Sequence, residues 1–154
     1  MHWPPIIINL KQHVMGKKVA DYCATVASLT VQYEIPVALC APVADIDKAH
    51  DALEKVPHQI LLFSQKIDNV SEGDSATGSV SADSIANVAD GTLLNHYEAR
   101  IYGKGSPSEK LNELLATIHH AHEKRLRVIV CVDSAETAVR IAPFLPAACA
   151  VSVE

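Results

Sequence analysis

Three side chains able to hold or move a proton stand at the ends of apolar runs. Lys11 follows "PIIINL", His96 follows "TLLN" and Glu154 follows "ACAVSV". The stretch "TLLNHYEAR" (92–100) adds a second carboxylate, Glu98, two residues past the histidine. Asn9 lies two residues before Lys11, on the same face of an extended strand, where its amide can hold the lysine in place. An ammonium, an imidazole and a carboxylate together suit proton transfer next to a carbonyl. The carboxylate takes a carbon-bound proton, and the imidazole polarises the carbonyl and shuttles a proton between oxygens. The ammonium stabilises the enediolate charge and an anionic group of the substrate. Taken singly, each has an ordinary reading: a solvated lysine, a loop histidine, a chain-terminal carboxylate. Their shared position at strand ends is what argues for a site.

Other chemistries find less support. His119, His120 and His122 lie on a charged helical segment and are expected to face solvent. No metal cluster is required by the residues at the strand ends. Cys23, Cys40, Cys131 and Cys149 form no C-x-x-C pair, and Cys40, Cys131 and Cys149 sit inside apolar runs. They are expected to be buried free thiols in a reducing compartment. "GDSATG" (73–78) resembles a nucleophile loop only superficially, because it does not carry a strand into a helix.

Positioning these groups requires strands. "PIIINLK" (5–11), "PVALCAP" (36–42), "QILLFSQ" (59–65), "GTLLN" (91–95), "RVIVCV" (127–132) and "ACAVSV" (148–153) are short apolar runs without polar alternation. Between them lie five helical segments. The first follows Gly16, with Val19, Tyr22, Cys23, Val26 and Leu29 on one face, and the second is "DIDKAHDALEKV". "SADSIANVA" is a short helix capped by Ser81 or Asp83. "SPSEKLNELLATIHHAHEK" is a long one, and "SAETAVRIAPF" is capped by Ser134. Apolar strands alternating with helices predict a parallel sheet covered by helices. An open doubly wound sheet and a (β/α)8 barrel both fit that pattern. A barrel normally takes ~200 residues or more, so six strands would make an incomplete one. Active-site groups in either fold gather at the carboxyl ends of the strands. The segment 68–79, rich in Ser, Gly and Asp, is long for a simple connection, and such loops often carry function.

The chain has 154 residues, the size of one domain, with a net charge of −5 and a pI near 5.9. An acidic chain is a poor partner for nucleic acid. No apolar run reaches the ~18 residues of a membrane helix. The start, "MHWPPIIINLKQ", lacks the form of a secretory signal, which favours the cytoplasm.

The ordered motifs "NLK" (9–11), "SQKID" (64–68), "ATG" (76–78), "LLNHYE" (93–98), "VIVCV" (128–132) and "AVSVE" (150–154) resemble triosephosphate isomerase, the compact archaeal branch in particular. That resemblance implies a (β/α)8 barrel cut short after its sixth strand, with no cofactor. Its substrates would be dihydroxyacetone phosphate and glyceraldehyde 3-phosphate. It implies that Lys11, with Asn9 beside it, contacts substrate. His96 would be the electrophile, kept neutral by the start of a following short helix. Glu154 would be the base, and Glu98 a structural or proton-relay carboxylate. Gln65 would belong to the third strand end. Thr77 would reach into a neighbouring subunit and support its lysine, making the active form a homodimer or homotetramer. Two departures stand out. Tyr97 occupies the position of a serine that supports the resting base, and the lid and the glycine-bearing strands seven and eight of the family would lie beyond Glu154. With no lid, Glu154 is expected to sit in water. Two other readings remain: a truncated, non-catalytic relative acting as a binding or assembly module, and an unrelated open α/β domain binding a small phosphorylated ligand.

Overall fold

The computed structural model describes residues 3–154. Six strands form one parallel sheet: β1 (Ile6–Asn9), β2 (Val37–Ala41), β3 (Ile60–Ser64), β4 (Gly91–Leu94), β5 (Arg127–Val132) and β6 (Cys149–Val153). Their spatial order is β1-β2-β3-β4-β5-β6, with each neighbouring pair parallel. A doubly wound sheet reverses its strand order at a switch point. This sheet does not, and it curls into part of a barrel.

Helices cover the outer face: α1 (Lys17–Gln32), α2 (Ile46–Leu53), α3 (Ala82–Ile85), α4 (Tyr97–Tyr102), α5 (Pro107–Glu123) and α6 (Ala135–Ile141), with short 3-10 turns at Val43–Asp45 and Ala142–Phe144. Among the described residues there are thus six helices, not five. The extra one, α4, buries no residue, so it has no apolar stripe for periodicity to reveal. The second and third predicted helices are shorter than expected, ending at Leu53 and Ile85. Local chemistry sets several starts. Ser81 and Ser134 accept the amides of Ser84 and Thr137. Ser106 and Glu109 form a reciprocal capping box, with Pro107 opening α5.

Alternate strand residues divide the core into two layers. Val37, Leu39, Ala41, Ile60 and Leu62 face the helices, where they meet Val19, Cys23, Val26 and Ala27 of α1. Ala38, Cys40, Phe63, Leu93, Ile129 and Cys131 fill the concave interior, closed at the amino end by Trp3. Each fully buried aliphatic side chain is worth about 1.5–3 kcal/mol. Tyr22 and Leu29, expected on the buried face of α1, are exposed. His120 is also not the solvated residue expected, for its side chain packs beside Asp83. The four thiols are free, and Cys23, Cys40 and Cys131 are buried, whereas Cys149 is only half-buried. Burial pushes Cys40 and Cys131 up to about 12 and Cys23 and Cys149 up to about 11. Among the described residues, no helix is long and apolar enough to cross a membrane.

Candidate active site

β1 ends in a short polar turn. Lys11 adopts a left-handed backbone (φ 49°), which the Asn9 side chain stabilises by accepting the Lys11 amide at 3.0 Å. Asn9 therefore holds the lysine through its backbone. The Gln65 amide, from the end of β3, donates to Asn9 Oδ1 at 3.1 Å and lies 3.3 Å from the carbonyls of Lys11 and Cys40. The turn after Lys11 is tied back by the Gly16 amide, which donates to buried Asp45 at 2.8 Å. Lys48 and this amide hold the Asp45 carboxyl below the usual carboxylate range.

β4 ends differently. Asn95 is left-handed (φ 57°), a backbone that asparagine tolerates better than most residues. Its side-chain amide donates to the Cys131 carbonyl at 2.8 Å, stapling the end of β4 to β5. His96 follows as the N-cap of α4. Its Nδ1 faces the Glu98 carboxylate, and its Nε2 lies 2.8 Å from Glu154 Oε1. A neutral imidazole donates from one nitrogen only, so the ring cannot give a proton to both carboxylates at once. The Glu98 carboxyl is held below its usual range, first by its own backbone amide and then by His96, with the Lys11 ammonium adding a smaller pull.

Glu154 follows β6, and its amide donates to the Val132 carbonyl at 2.9 Å. The side chain is not loose in water as expected, being only 25 % exposed. Oε2 accepts the Tyr97 backbone amide at 3.1 Å and lies 2.9 Å from Arg100 Nη1. The Tyr97 side chain itself is exposed and takes no part in this contact. Lys11, Asn9, Gln65, His96 and Glu98 line one cavity of about 490 Å³ at the carboxyl end of the sheet. Thr77 stands apart from it, exposed in the loop after β3. The base of that loop is closed by Asp68, whose amide donates to the Val80 carbonyl (2.7 Å) and whose carboxylate accepts the Val80 amide (2.8 Å). Among the described residues, no group of three or more His, Cys, Asp or Glu side chains converges as metal ligands.

The geometry adds Asn95 and Arg100 to the candidates. Arg100 lies four residues after His96, a helical spacing that returns it to the same side of α4. That spacing was the available signal, but it means little until α4 is known to be a helix.

A family model described as triosephosphate isomerase matches residues 4–142. The chain belongs to the triosephosphate isomerase family. A triosephosphate isomerase from Methanopyrus kandleri is 27% identical over 151 residues, covering 96% of this chain and 62% of that protein. One from Methanosarcina mazei is 29% identical over 146 residues, covering 93% and 60% respectively. The crystal structure of triosephosphate isomerase from Bartonella henselae superposes with a TM-score of 0.76 at 21% identity, over 96% of this chain and 65% of that one. The fold is therefore an incomplete (β/α)8 barrel. The chain spans about three fifths of the length of these curated relatives. Glu154 falls outside the stretch matched by the family model, so its place in the site rests on its contacts with His96 and Arg100.

Proposed function

We propose that the site interconverts dihydroxyacetone phosphate and glyceraldehyde 3-phosphate by proton transfer through an enediolate. The observation that carries this reading is the His96 imidazole held directly against the Glu154 carboxylate, in a site whose cavity also receives Lys11. Glu154 is the base that takes a proton from the carbon next to the substrate carbonyl. The His96 ring polarises the carbonyl oxygen and shuttles a proton between oxygens, and Glu98, beside its Nδ1, is the structural or proton-relay carboxylate. Lys11, presented by Asn9 and Gln65, holds the anionic substrate and offsets the enediolate charge. No step requires a cofactor. The same reading places the protein in the cytoplasm as a homodimer or homotetramer. Thr77, exposed in a loop with a closed base, would meet a neighbouring subunit there.

The test is to incubate the 154-residue chain with glyceraldehyde 3-phosphate in heavy water and follow the products by NMR. Dihydroxyacetone phosphate carrying deuterium on the carbon next to the carbonyl is expected, and the signal should vanish with His96→Ala. Binding of triose phosphate without turnover would instead favour the binding-module reading. That second reading has one observation on its side: the outer strands expose Ile6, Ile7, Val151 and Val153, apolar surface that another protein segment could cover.

A further inference from the structure

We propose that Arg100 is a positioning residue that divides the labour of the Glu154 carboxylate, anchoring Oε2 so that Oε1 alone meets the substrate. This inference rests on the isomerase reading of the site. The two oxygens have unequal surroundings. Oε2 has two donors, Arg100 Nη1 at 2.9 Å and the Tyr97 amide at 3.1 Å. Oε1 meets no cationic or backbone anchor, only His96 Nε2 at 2.8 Å, and the neutral Cys131 thiol also lies against the carboxylate. The same Arg100 nitrogen donates to the Asn95 carbonyl at 2.7 Å, and a guanidinium Nη carries two hydrogens, one for each acceptor.

Arg100 is itself well supported. Its side chain is 18 % exposed, and its carbonyl accepts Lys110 Nζ at 3.1 Å, which fastens α4 to α5. Asn95 in turn is stapled to β5 through the Cys131 carbonyl. One guanidinium thus links the end of β4, which carries His96, to the end of β6, which carries Glu154. It also accounts for the tolerated Tyr97: the resting carboxylate is held by a backbone amide and an arginine, so no side-chain hydroxyl is needed at that position.

Mechanistically, the ionic contact that the substrate displaces is that between Oε1 and Nε2. Its carbonyl oxygen takes the Nε2 side and its carbon-bound proton the Oε1 side. The proton passes to Oε1, and the C–H electron pair forms the enediolate double bond. The carbonyl π pair moves onto oxygen, where Nε2–H donates to it. The imidazole gives that Nε2 proton to the enediolate oxygen and takes the hydroxyl proton from the neighbouring oxygen, which becomes the new carbonyl. Return of the carbon-bound proton from Oε1 to the neighbouring carbon completes the isomerisation without a co-reactant. Oε2 keeps its two donors throughout.

Arg100→Met and Arg100→Lys in the 154-residue chain test this. With Arg100→Met, kcat should fall on the order of 100-fold, because a misplaced base costs about that much. KM should change little, since substrate contacts are untouched. Arg100→Lys should recover part of kcat. An activity-independent readout is the Tyr97 amide in a 15N–1H spectrum. It should move in Arg100→Met in the same direction as in Glu154→Ala, and move less in Arg100→Lys. A Tyr97 amide that stays in place in Arg100→Met overturns the proposal, and so does a loss confined to KM. If the unsubstituted chain shows no turnover, the isomerase reading fails on its own, and the amide shift still decides whether Arg100 anchors the carboxylate.

Discussion

The two ends of the sheet carry the same kinds of side chain and use them in opposite ways. At the amino end, a cavity of about 360 Å³ is lined by His50, Glu54, His58 and Asp90 among others. His58 Nδ1 accepts the Ile60 amide at 3.1 Å. Asp90 accepts the Leu62 amide on its carboxylate at 2.8 Å and donates its own amide to the Leu62 carbonyl at 2.7 Å, extending the β3–β4 ladder by one step. Trp3 lies against Phe63 with ring centroids 6.1 Å apart, and the Arg127 guanidinium sits 5.9 Å from the Trp3 ring. There the polar groups serve the backbone. At the carboxyl end, His96, Glu98, Glu154 and Arg100 contact one another between strand ends instead. A histidine spent on a strand amide finishes the sheet, whereas one set between two carboxylates remains available to a ligand.

The sharpest way to break this contrast is to remove a histidine from each end. His96→Ala should lower turnover by about 10²–10⁴-fold, the usual contribution of a positioned acid–base group. The melting temperature should stay close to that of the parent, since the ring packs into no apolar cluster. His58→Ala should do the reverse, leaving kcat unchanged and lowering the melting temperature slightly. Equal loss of activity in both variants would mean that the amino-end cavity also serves the chemistry.

Next in size is Gly91→Ala, at the amino end of β4. A Cβ there would stand 2.4 Å from both the Arg127 carbonyl oxygen and the Phe63 ring. Neither can retreat, because Phe63 fills the interior and Arg127 pairs with Gly91 in the sheet. Overpacking of this kind typically costs about 1–3 kcal/mol, or roughly 2–4 °C in melting temperature per kcal/mol for a chain of this size. Asp90→Ala should cost about 1–3 kcal/mol by leaving the amide of buried Leu62 unpaired. Urea unfolding measures both. A loss below 0.5 kcal/mol for Asp90→Ala, within the range of ordinary surface changes, would show that the amino end does not depend on these backbone bonds.

How far the sequence reveals the molecule follows the same division. All six strands were legible, because runs such as "VALCA" and "RVIVCV" are apolar on both faces and can only be interior strands. Lys11 and His96 were legible because strand ends in α/β proteins point at one another. The contacts made by Arg100 and Asn95 were not, for a reason specific to α4. That helix buries nothing and lacks an amphipathic stripe, so nothing in its pattern said which side would face Glu154. Tyr97 misled in the opposite direction. Read as a side chain, it removes support from Glu154, but the support comes from its backbone amide, which every non-proline residue carries, and from Arg100. Periodicity alone left the strand order open, since parallel apolar runs suit a barrel and a doubly wound sheet equally, and it was the ordered motifs that implied the barrel.

The smallest effect concerns a charged pair outside the site. Asp83 of α3 accepts a hydrogen bond from Lys124 at the end of α5, with His120 Nε2 3.6 Å away. The Lys124 ammonium, then the Glu72 amide and the nearby His120, hold the Asp83 carboxyl below its usual 3.8 against the opposing pull of burial. A carboxyl depressed in the folded state adds stability above its unfolded value and loses it as the pH falls through the folded one. Lys124 is raised above 10.5 by the same partner, so its share is present below that value and is lost as the pH rises through the folded one. The pair should therefore stabilise across the neutral range and fail at both extremes. Asp83→Asn should flatten the fall in melting temperature between pH 5 and pH 3, a difference read against the parent protein so that other carboxylates cancel. It should leave kcat alone, because Asp83 belongs to the outer helix layer. An unchanged acid slope would mean that the pair is formed without consequence, as many exposed ion pairs are. A change in kcat would mean that the helix layer and the carboxyl-end site are coupled in a way that the separate hydrogen-bond networks do not provide.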